Sequence, residues 1–236
     1  MIFNDFLSHR RKDQMQPEDR AALEASVSDV RTLPARTTLI RQGEPVHVST
    51  YLMEGLLCRY MDDREGQRQL VAVHVPGDFV DLHGYPLKYL DHDMASITAC
   101  KIATVPHANI DILVRERPQL AKLLWFSTLI DAAMHREWIF RLGRLDAAAR
   151  VAHFFCEIEA KLRVVGLSDG MHFDLPMTQH DLGEACGITP VHMNRMLRVL
   201  KNRGLLHVQG RQVHVLNRAG LAQLGEFDPA YLYIEG

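Results

Sequence analysis

Two short helical patterns meet at a glycine in the stretch MTQHDLGEACGITPVHMNRMLRVLKNRGLL, Met177 to Leu206. Thr178 is a favourable N-cap for the first helix, Asp181 can complete a capping box, and Gly187 ends the helix. Thr189 is the N-cap of the second helix, whose first position holds a proline, where a missing N–H costs nothing. We therefore predict a helix-turn-helix in this stretch.

The second helix has an apolar side and a polar side. Its apolar residues recur at i, i+3, i+4 and i+7, which predicts one buried stripe: Met193, Met196, Leu197 and Leu200. Gly183 in the first helix leaves room for the second helix to cross closely. The opposite face carries side chains that point away from the core: Val191, His192, Asn194, Arg195, Arg198, Lys201 and Asn202.

Basic residues are concentrated in this part of the chain. From His192 to Arg218 there are six Lys or Arg residues and no Asp or Glu, although the whole chain of 236 residues has a net charge of −2. Contacts to the phosphates of nucleic acid require such a local surplus of cations. A plain helical hairpin is the alternative, and the caps, the segregated charges and the following hairpin argue against it.

Each position of the polar face has an expected role on DNA. Thr189 and Arg218 are predicted phosphate contacts, and His192, Asn194 and Arg195 are predicted to reach base edges in the major groove. The run LLHVQGRQVHVL predicts a two-stranded wing with Arg211 at its tip. The full predicted DNA-binding set is Thr178, Thr189, Pro190, Val191, His192, Asn194, Arg195, Arg198, Lys201 and Arg211.

The N-terminal half is rich in β-type residues, unlike the helical stretch described above, and the changes in residue pattern divide the chain into three parts. Between Leu33 and Pro106, short β-rich runs alternate with glycine and Pro-Gly turn signals, which indicates a small barrel or sandwich. After Pro118 there is no Gly or Pro before Gly143, and this pattern predicts a long helix over 118–145. We predict domains at 1–117, 118–145 and 146–236.

The long helix has too wide an apolar stripe for one packing surface. Lying along the β domain while also facing a copy of itself would cover both sides, so we predict a homodimer. The expected interface residues are Phe126, Ile130, Ala133, Met134 and Trp138. The alternative is a helix buried inside a single chain.

Several classes of protein are disfavoured by what the chain lacks. Its four cysteines lie far apart, without the spacing of a zinc site or an iron–sulfur cluster, and they are expected to be buried thiols. No window is apolar enough to span a membrane, and the N-terminus is too polar for a secretory signal, so we expect a cytoplasmic protein. No G-x-S-x-G, P-loop, H-E-x-x-H or Rossmann signature indicates an enzyme.

These features together resemble the Crp/Fnr family of bacterial transcription regulators over nearly the whole chain. The resemblance rests on the 177–206 stretch, on RQGEPVHVSTYLMEG and VPGDF in the N-terminal half, and on RLGRLDAAARVAHFF between them. It implies an α+β fold, with an N-terminal β-roll (a double-stranded β-helix, jelly-roll-like), a long dimerisation helix and a C-terminal winged helix-turn-helix. It also implies a homodimer on a near-palindromic DNA operator, with RNA polymerase as a further partner.

The sensor half departs from the ligand signatures of the family. Members that bind cyclic AMP carry a Glu after a Gly, and later an Arg-Ser pair, where this chain has Asp78 after Gly77 and Asp93-Met94 before Ala95. A carboxylate at Asp93 would repel the phosphate, so cyclic AMP in the usual mode is not expected. The cysteine cluster of iron–sulfur sensors is absent. A haem-binding relative has an axial haem ligand at the position of His83, but its partner cysteine is replaced here by Asp81.

The polar loop from Asp78 to Met94 is the candidate effector site. Its residues are Asp78, His83, Tyr85, Lys88, His92 and Asp93. A solvated surface, a metal bound by His83, His92 and an Asp, and an unidentified small molecule stay open. We assign no metal ligand. The alternative function is the same fold with a non-sensing β-roll that binds DNA constitutively as a dimer.

Overall fold

The computed structural model describes residues 1–235, which divide into two compact units. The N-terminal unit comprises Met1–Tyr60, Val73–Ala132 and Glu235, and the C-terminal unit comprises Met61–Ala72 and Ala133–Ile234. The division falls within the long helix, and the predicted bounds at 117 and 145 stay a prediction. No helix among the described residues is long and apolar enough to cross a membrane.

The strands of the N-terminal half form two sheets. Their order is β1-β7-β3 in one sheet and β2-β6-β4-β5 in the other. The strands are β1 Asp29–Leu33, β2 Thr38–Ile40, β3 Val48–Glu54, β4 Leu57–Asp62, β5 Arg68–His74, β6 Asp93–Ser96 and β7 Cys100–Pro106. All pairs with a recorded register are antiparallel, as in the predicted β-roll.

The core of the N-terminal unit draws apolar residues from both sheets. Leu52 and Ile102 come from one sheet, Leu57 and Met94 from the other, and all four are fully buried. Gly55 makes the turn between β3 and β4 with φ +90, and a Cβ there would collide with the Ala99 carbonyl. The turn therefore requires glycine.

The extreme N-terminus belongs to the core, although its sequence reads as polar and charged. Phe3 and Phe6 are fully buried and pack against Tyr51 and Phe79, with ring centroids 4.6 to 6.4 Å apart. A 3-10 helix follows at Lys12–Gln14. The helices of this half are α1 Pro17–Ala25, α2 Gly84–Leu87, α3 His107–Glu116 and the long α4 Pro118–Arg144.

The C-terminal unit is a winged helical domain around a buried helix. Most residues of α5 are buried. Its elements are α5 Ala147–Val164, β8 His172–Asp174, α6 Gln179–Cys186, α7 Pro190–Asn202, β9 Leu206–Gln209, β10 Gln212–Val215, α8 Arg218–Leu224 and a 3-10 helix at Pro229–Leu232. The sequence predicted only β9 and β10, and β8 adds a third strand on the outer side of β10. The α+β architecture is confirmed.

Candidate nucleic-acid interface

The ends of α6 and α7 are formed by the predicted caps. The Asp181 N–H donates to Thr178 Oγ1 at 3.2 Å, and the Thr178 N–H donates to Asp181 Oδ2 at 2.7 Å, which completes the capping box. Gly187 ends α6 in the left-handed conformation at φ 63. Thr189 Oγ1 then accepts the His192 N–H at 3.3 Å and begins α7. Local sequence therefore accounts for the start of both helices and for the end of α6.

A glycine permits the close contact between α6 and the turn that leads to α7. A Cβ at Gly183 would lie 2.6 Å from the Ile188 carbonyl oxygen and 3.5 Å from the Pro190 nitrogen. The Ile188 N–H donates to the Gly183 carbonyl at 3.0 Å. The close approach that we predicted is thus made to the backbone of the turn.

Helix α7 presents one face to the core and the other to solvent. Met193 and Leu200 are fully buried, and Met196 and Leu197 are half-buried. The outward side chains are exposed: Val191, Asn194, Arg195, Arg198, Lys201 and Asn202, with His192 half-buried at the edge. The predicted polar face is therefore available to a ligand.

Two neighbours on this face differ in how they are held. Asn194 Nδ2 donates to Gln179 Oε1 at 3.2 Å, and Arg198 donates to Asn194 Oδ1 at 3.4 Å. The Arg195 guanidinium makes no hydrogen bond or ion pair within residues 1–235, and it borders a cleft of about 380 Å³ with Val191. The amide is oriented in advance, whereas the guanidinium is free to pair with a ligand.

Gln179 is a site residue that sequence reasoning missed. It is exposed at the first position of α6 and lines the same cleft. The one available signal was its place directly after the N-cap Thr178, at the helix end that faces the start of α7.

The wing extends the basic surface. Strands β9 and β10 pair from Gln209 to Gln212 across the two-residue loop Gly210-Arg211. Arg211 is exposed; its backbone carbonyl accepts the Leu175 N–H at 2.7 Å, and its guanidinium has no partner among the residues that the structure describes. Lys201 Nζ lies 3.0 Å from His207 Nε2 and joins the end of α7 to the wing.

Arg218 does not have the free position expected of a phosphate contact. Its guanidinium donates to Glu159 Oε2 at 3.3 Å, and Glu159 also binds Arg163 at 3.2 Å. The carboxylate of Glu159 is almost wholly buried. Breaking its ion pair with Arg218 would reduce the compensation of a buried charge, which is unfavourable, so the pair is stable. Arg218 is therefore a structural residue first, a correction to the sequence interpretation.

Side chains from three elements hold the carboxyl end of α6. The Glu184 carbonyl accepts from Gln69 Nε2 at 2.5 Å, the Ala185 carbonyl from Arg141 at 3.0 Å, and the Cys186 carbonyl from Arg150 at 3.2 Å. These are carbonyls that a helix end leaves without partners in the helix itself. Two of the donors are cations, which the negative end of the helix dipole favours.

Arg141 is fully buried at the end of α4. Its guanidinium carbon lies 3.9 Å from the centroid of the Trp138 ring. The Trp138 indole N–H donates to Glu157 Oε1 at 2.8 Å, and the Tyr231 hydroxyl donates to Glu157 Oε2 at 2.7 Å. Arg141 thus links α4 to α6, a role that no local pattern indicated.

The dimer contacts predicted on α4 stay a prediction, and the single chain already covers some of them. Ile130, Ala133 and Trp138 are buried against their own chain, and Phe126 and Met134 are half-buried. Phe126 also lies under Arg11, 4.3 Å from its guanidinium. The apolar residues left exposed are Trp125, Leu129, Ile139 and Phe140. The apolar stripe is wide enough that sequence alone could not determine which part the single chain already covers.

The six predicted effector residues do not form a single cluster. Asp78 Oδ2 contacts His74 Nδ1 at 3.2 Å, the Tyr85 hydroxyl donates to Asp111, and Asp93 Oδ1 accepts the Gln42 N–H at 3.3 Å. Lys88 lies over the Tyr85 ring at 4.9 Å. In the part of the chain that the structure describes, no group of three His, Cys, Asp or Glu side chains is placed to hold a metal ion.

His83 and His92 belong to a polar network around a buried arginine. Arg59 Nη1 lies 2.7 Å from Asp131 Oδ2, its Nη2 lies 3.5 Å from His83 Nδ1, and the rings of His83 and His92 are 5.4 Å apart. Burial, assisted by the charge of Arg59, lowers the pKa of His83 to about 3, and burial also lowers the pKa of His92. Both rings are neutral at pH 7. The network joins β4 and the loop after residue 80 to Asp131 on α4, a partner that the sequence did not indicate.

A capped helix pair, an acid-free exposed face and an adjoining wing define a winged helix-turn-helix DNA-binding protein, here joined to a β-roll. Residues 149–224 match the Crp-like helix-turn-helix domain, and residues 30–117 match the cyclic nucleotide-binding domain. The chain belongs to the Crp/Fnr family of transcription regulators.

The similar proteins are regulators, not enzymes. The transcriptional activator protein anr of Pseudomonas aeruginosa is 24% identical over 207 residues, 88% of this chain and 84% of the relative. The cAMP-activated global transcriptional regulator CRP of Salmonella typhimurium is 24% identical over 79% of this chain and 89% of its own. The structure of FixK2 from Bradyrhizobium japonicum has a TM-score of 0.73 at 23% identity, covering 84% of this chain and 96% of that one.

Proposed function

We propose that the protein is a cytoplasmic homodimer that binds a near-palindromic operator and changes its affinity for DNA when its β-roll takes up an effector. The observation that carries the proposal is the exposed face of α7, on which Arg195, Arg198 and Lys201 stand with no acidic residue nearby in sequence. Thr178, Thr189, Pro190 and Arg211 flank this face, where helix ends and the wing tip reach the DNA backbone. RNA polymerase is the further partner.

The proposed dimer interface is a seam along α4, defined as Trp125, Leu129, Ala132, Arg136, Ile139 and Gly143. These residues are alternately four and three positions apart, which is the 3.5-residue repeat of a two-stranded coiled coil. Trp125 is 66% exposed, Leu129 51% and Ile139 73% in the single chain. Large apolar side chains aligned in this way favour burial against a second copy.

The effector is not cyclic AMP bound in the manner that the family signature describes. The Asp93 carboxylate, where that signature has an arginine, accepts the Gln42 backbone N–H instead. The Arg59 guanidinium is already bound to Asp131 and to the Val80 carbonyl. The contact with Asp131 favours a sensing β-roll over a constitutive one, because it links the β-roll directly to the helix that carries the seam.

The dimer is tested by placing a charge in the seam. Leu129→Glu is expected to give monomers in light scattering and at least a tenfold loss of affinity for an operator selected from random DNA. Gln119→Glu adds the same charge at an exposed position of α4 outside the seam and should stay dimeric. A Leu129→Glu protein that remained dimeric and bound the operator normally would refute the proposed interface.

A further inference from the structure

An apolar cavity lies in the N-terminal unit, beside the polar network of Arg59. It has a volume of about 490 Å³ and is bounded by the loop around Leu82, by Ile110 of α3, and by Leu124 and Trp125 of α4. This volume is within the range of small-molecule sites. The six predicted effector residues do not define it, since only His83 and Tyr85 among them line its wall.

His83 lines the cavity and carries one hydrogen-bond donor. An arginine has only N–H donors, so at the 3.5 Å contact with Arg59 Nη2 the Nδ1 atom of His83 must accept. A neutral ring with an unprotonated Nδ1 carries its hydrogen on Nε2. Burial keeps the ring neutral at pH 7, as its lowered pKa indicates.

The remaining wall selects for an uncharged occupant. No Asp or Glu lines the cavity within the described residues, and Lys122 at the wall is exposed and keeps its charge in water. A buried carboxylate would lose its hydration without gaining a buried cation. The Tyr85 and Thr128 hydroxyls at the wall donate to Asp111 and to the Trp125 carbonyl, so a ring compound with one acceptor atom matches the His83 N–H.

We propose that this cavity binds an uncharged, hydrophobic ring compound that carries one hydrogen-bond acceptor, with the acceptor bound by His83 Nε2–H. The proposal rests on the sensing role given to the β-roll above and names the chemistry of its effector. Trp125 lines the cavity and is also the first residue of the seam. An occupant that contacts this indole therefore touches the dimer helix itself.

The site is tested with two naphthalenes of matched shape, measured by calorimetry on the full chain. The ketone 2-acetonaphthone has one acceptor and 2-ethylnaphthalene has none, so the wild type should bind the ketone about three- to tenfold more tightly. His83→Phe should remove this preference and still bind the hydrocarbon. Ala121→Leu, which adds bulk to the cavity wall, should weaken both ligands at least tenfold.

Ala21→Leu is the matched control, since it makes the same change at an exposed position of α1 and should leave both affinities unchanged. Circular dichroism establishes that each variant is folded. No saturable binding, or binding that Ala121→Leu does not alter, would overturn the cavity as a site. An unchanged preference in folded His83→Phe would overturn the assigned role of His83.

Operator affinity measured with and without the ketone separates the two proposals. A change in affinity supports sensing through this cavity. Binding of the ketone without any change would overturn the sensing role and leave the cavity standing as a ligand site. Loss of ketone binding alone would leave the DNA-binding dimer intact.

Discussion

Asn194 and Arg195 are neighbours on α7 with different relations to their surroundings. Gln179 and Arg198 hold the Asn194 amide on both sides, so its orientation is set before any ligand arrives. Arg195 has no such support among the described residues and must lose side-chain freedom on binding. A guanidinium can recover that cost through two parallel hydrogen bonds to guanine O6 and N7.

Arg195→Ala is therefore expected to weaken binding to the selected operator by ~1–3 kcal/mol and to random DNA much less. Fluorescence anisotropy with both duplexes at one salt concentration measures the difference. Arg195→Lys keeps the charge without the fork and serves as the control, and it should lose specificity while retaining affinity for random DNA. Equal losses on both duplexes for Arg195→Ala would mean a phosphate contact only.

The half-buried His83 makes the folding stability of the protein depend on pH in the acid range. Its pKa is about 3 in the folded chain against an ordinary value of 6.5, so between these values the unfolded chain binds the proton more readily. Folding stability from this group is complete above pH 6.5 and falls with decreasing pH, by up to ~1.4 kcal/mol per pH unit. His83→Gln should show a shallower loss of stability from pH 6.5 to 4 in urea unfolding. An identical slope in the two proteins would contradict a neutral His83 with a lowered pKa.

The cap residues could be predicted from the sequence because each bonds within three or four positions of itself. Thr178 with Asp181, and Thr189 with the His192 N–H, are of this kind. The contacts that escaped prediction join residues far apart, such as Arg59 with Asp131 and Gln179 with Asn194. Their geometry depends on how whole elements pack, which no local spacing records.

At the scale of the element, α4 shows what the spacing of apolar residues can and cannot predict. Its apolar residues predicted a long helix with two covered faces, and the helix is present over 27 residues. Which face the chain itself buries was not readable, because Ala132, Arg136 and Gly143 in the seam are not strongly apolar. Only the packing of Ile130, Ala133 and Trp138 in the folded chain shows that the exposed stripe lies elsewhere.

Two glycines in helices are expected to respond in opposite ways to the same substitution. Gly183→Ala should destabilise the C-terminal unit by ~1–3 kcal/mol, because its Cβ would meet the Ile188 carbonyl at 2.6 Å. Gly143 lies in the proposed seam, so Gly143→Ala is measured in the monomeric Leu129→Glu protein, where no atom of the chain lies within 4 Å of the added Cβ and α4 should gain ~0.5–1 kcal/mol. Thermal unfolding of both variants measures the difference. A Gly183→Ala protein as stable as the wild type would show that the turn can move away.

At the scale of the whole molecule, the proposed symmetric dimer must meet both halves of its operator from one side of the duplex. Half-sites one helical turn apart, 10–10.5 base pairs, satisfy this geometry. Five base pairs inserted between the half-sites should reduce affinity to about the level of one half-site, because the second half-site then faces away. Gel-shift titrations measure this, with the five central base pairs replaced at constant spacing as the control. Unchanged binding to the lengthened operator would argue for independent monomers.

Helix α6 is held at its carboxyl end by Gln69, Arg141 and Arg150, while Gln179 at its other end borders the cleft with Arg195. The two groups share no residue. Descendants of this gene could therefore acquire a new operator by exchanging side chains in the cleft without disturbing the anchorage. Equally, they could change the contacts that hold the carboxyl end of α6, and with them the control of DNA binding, while still binding the same promoter.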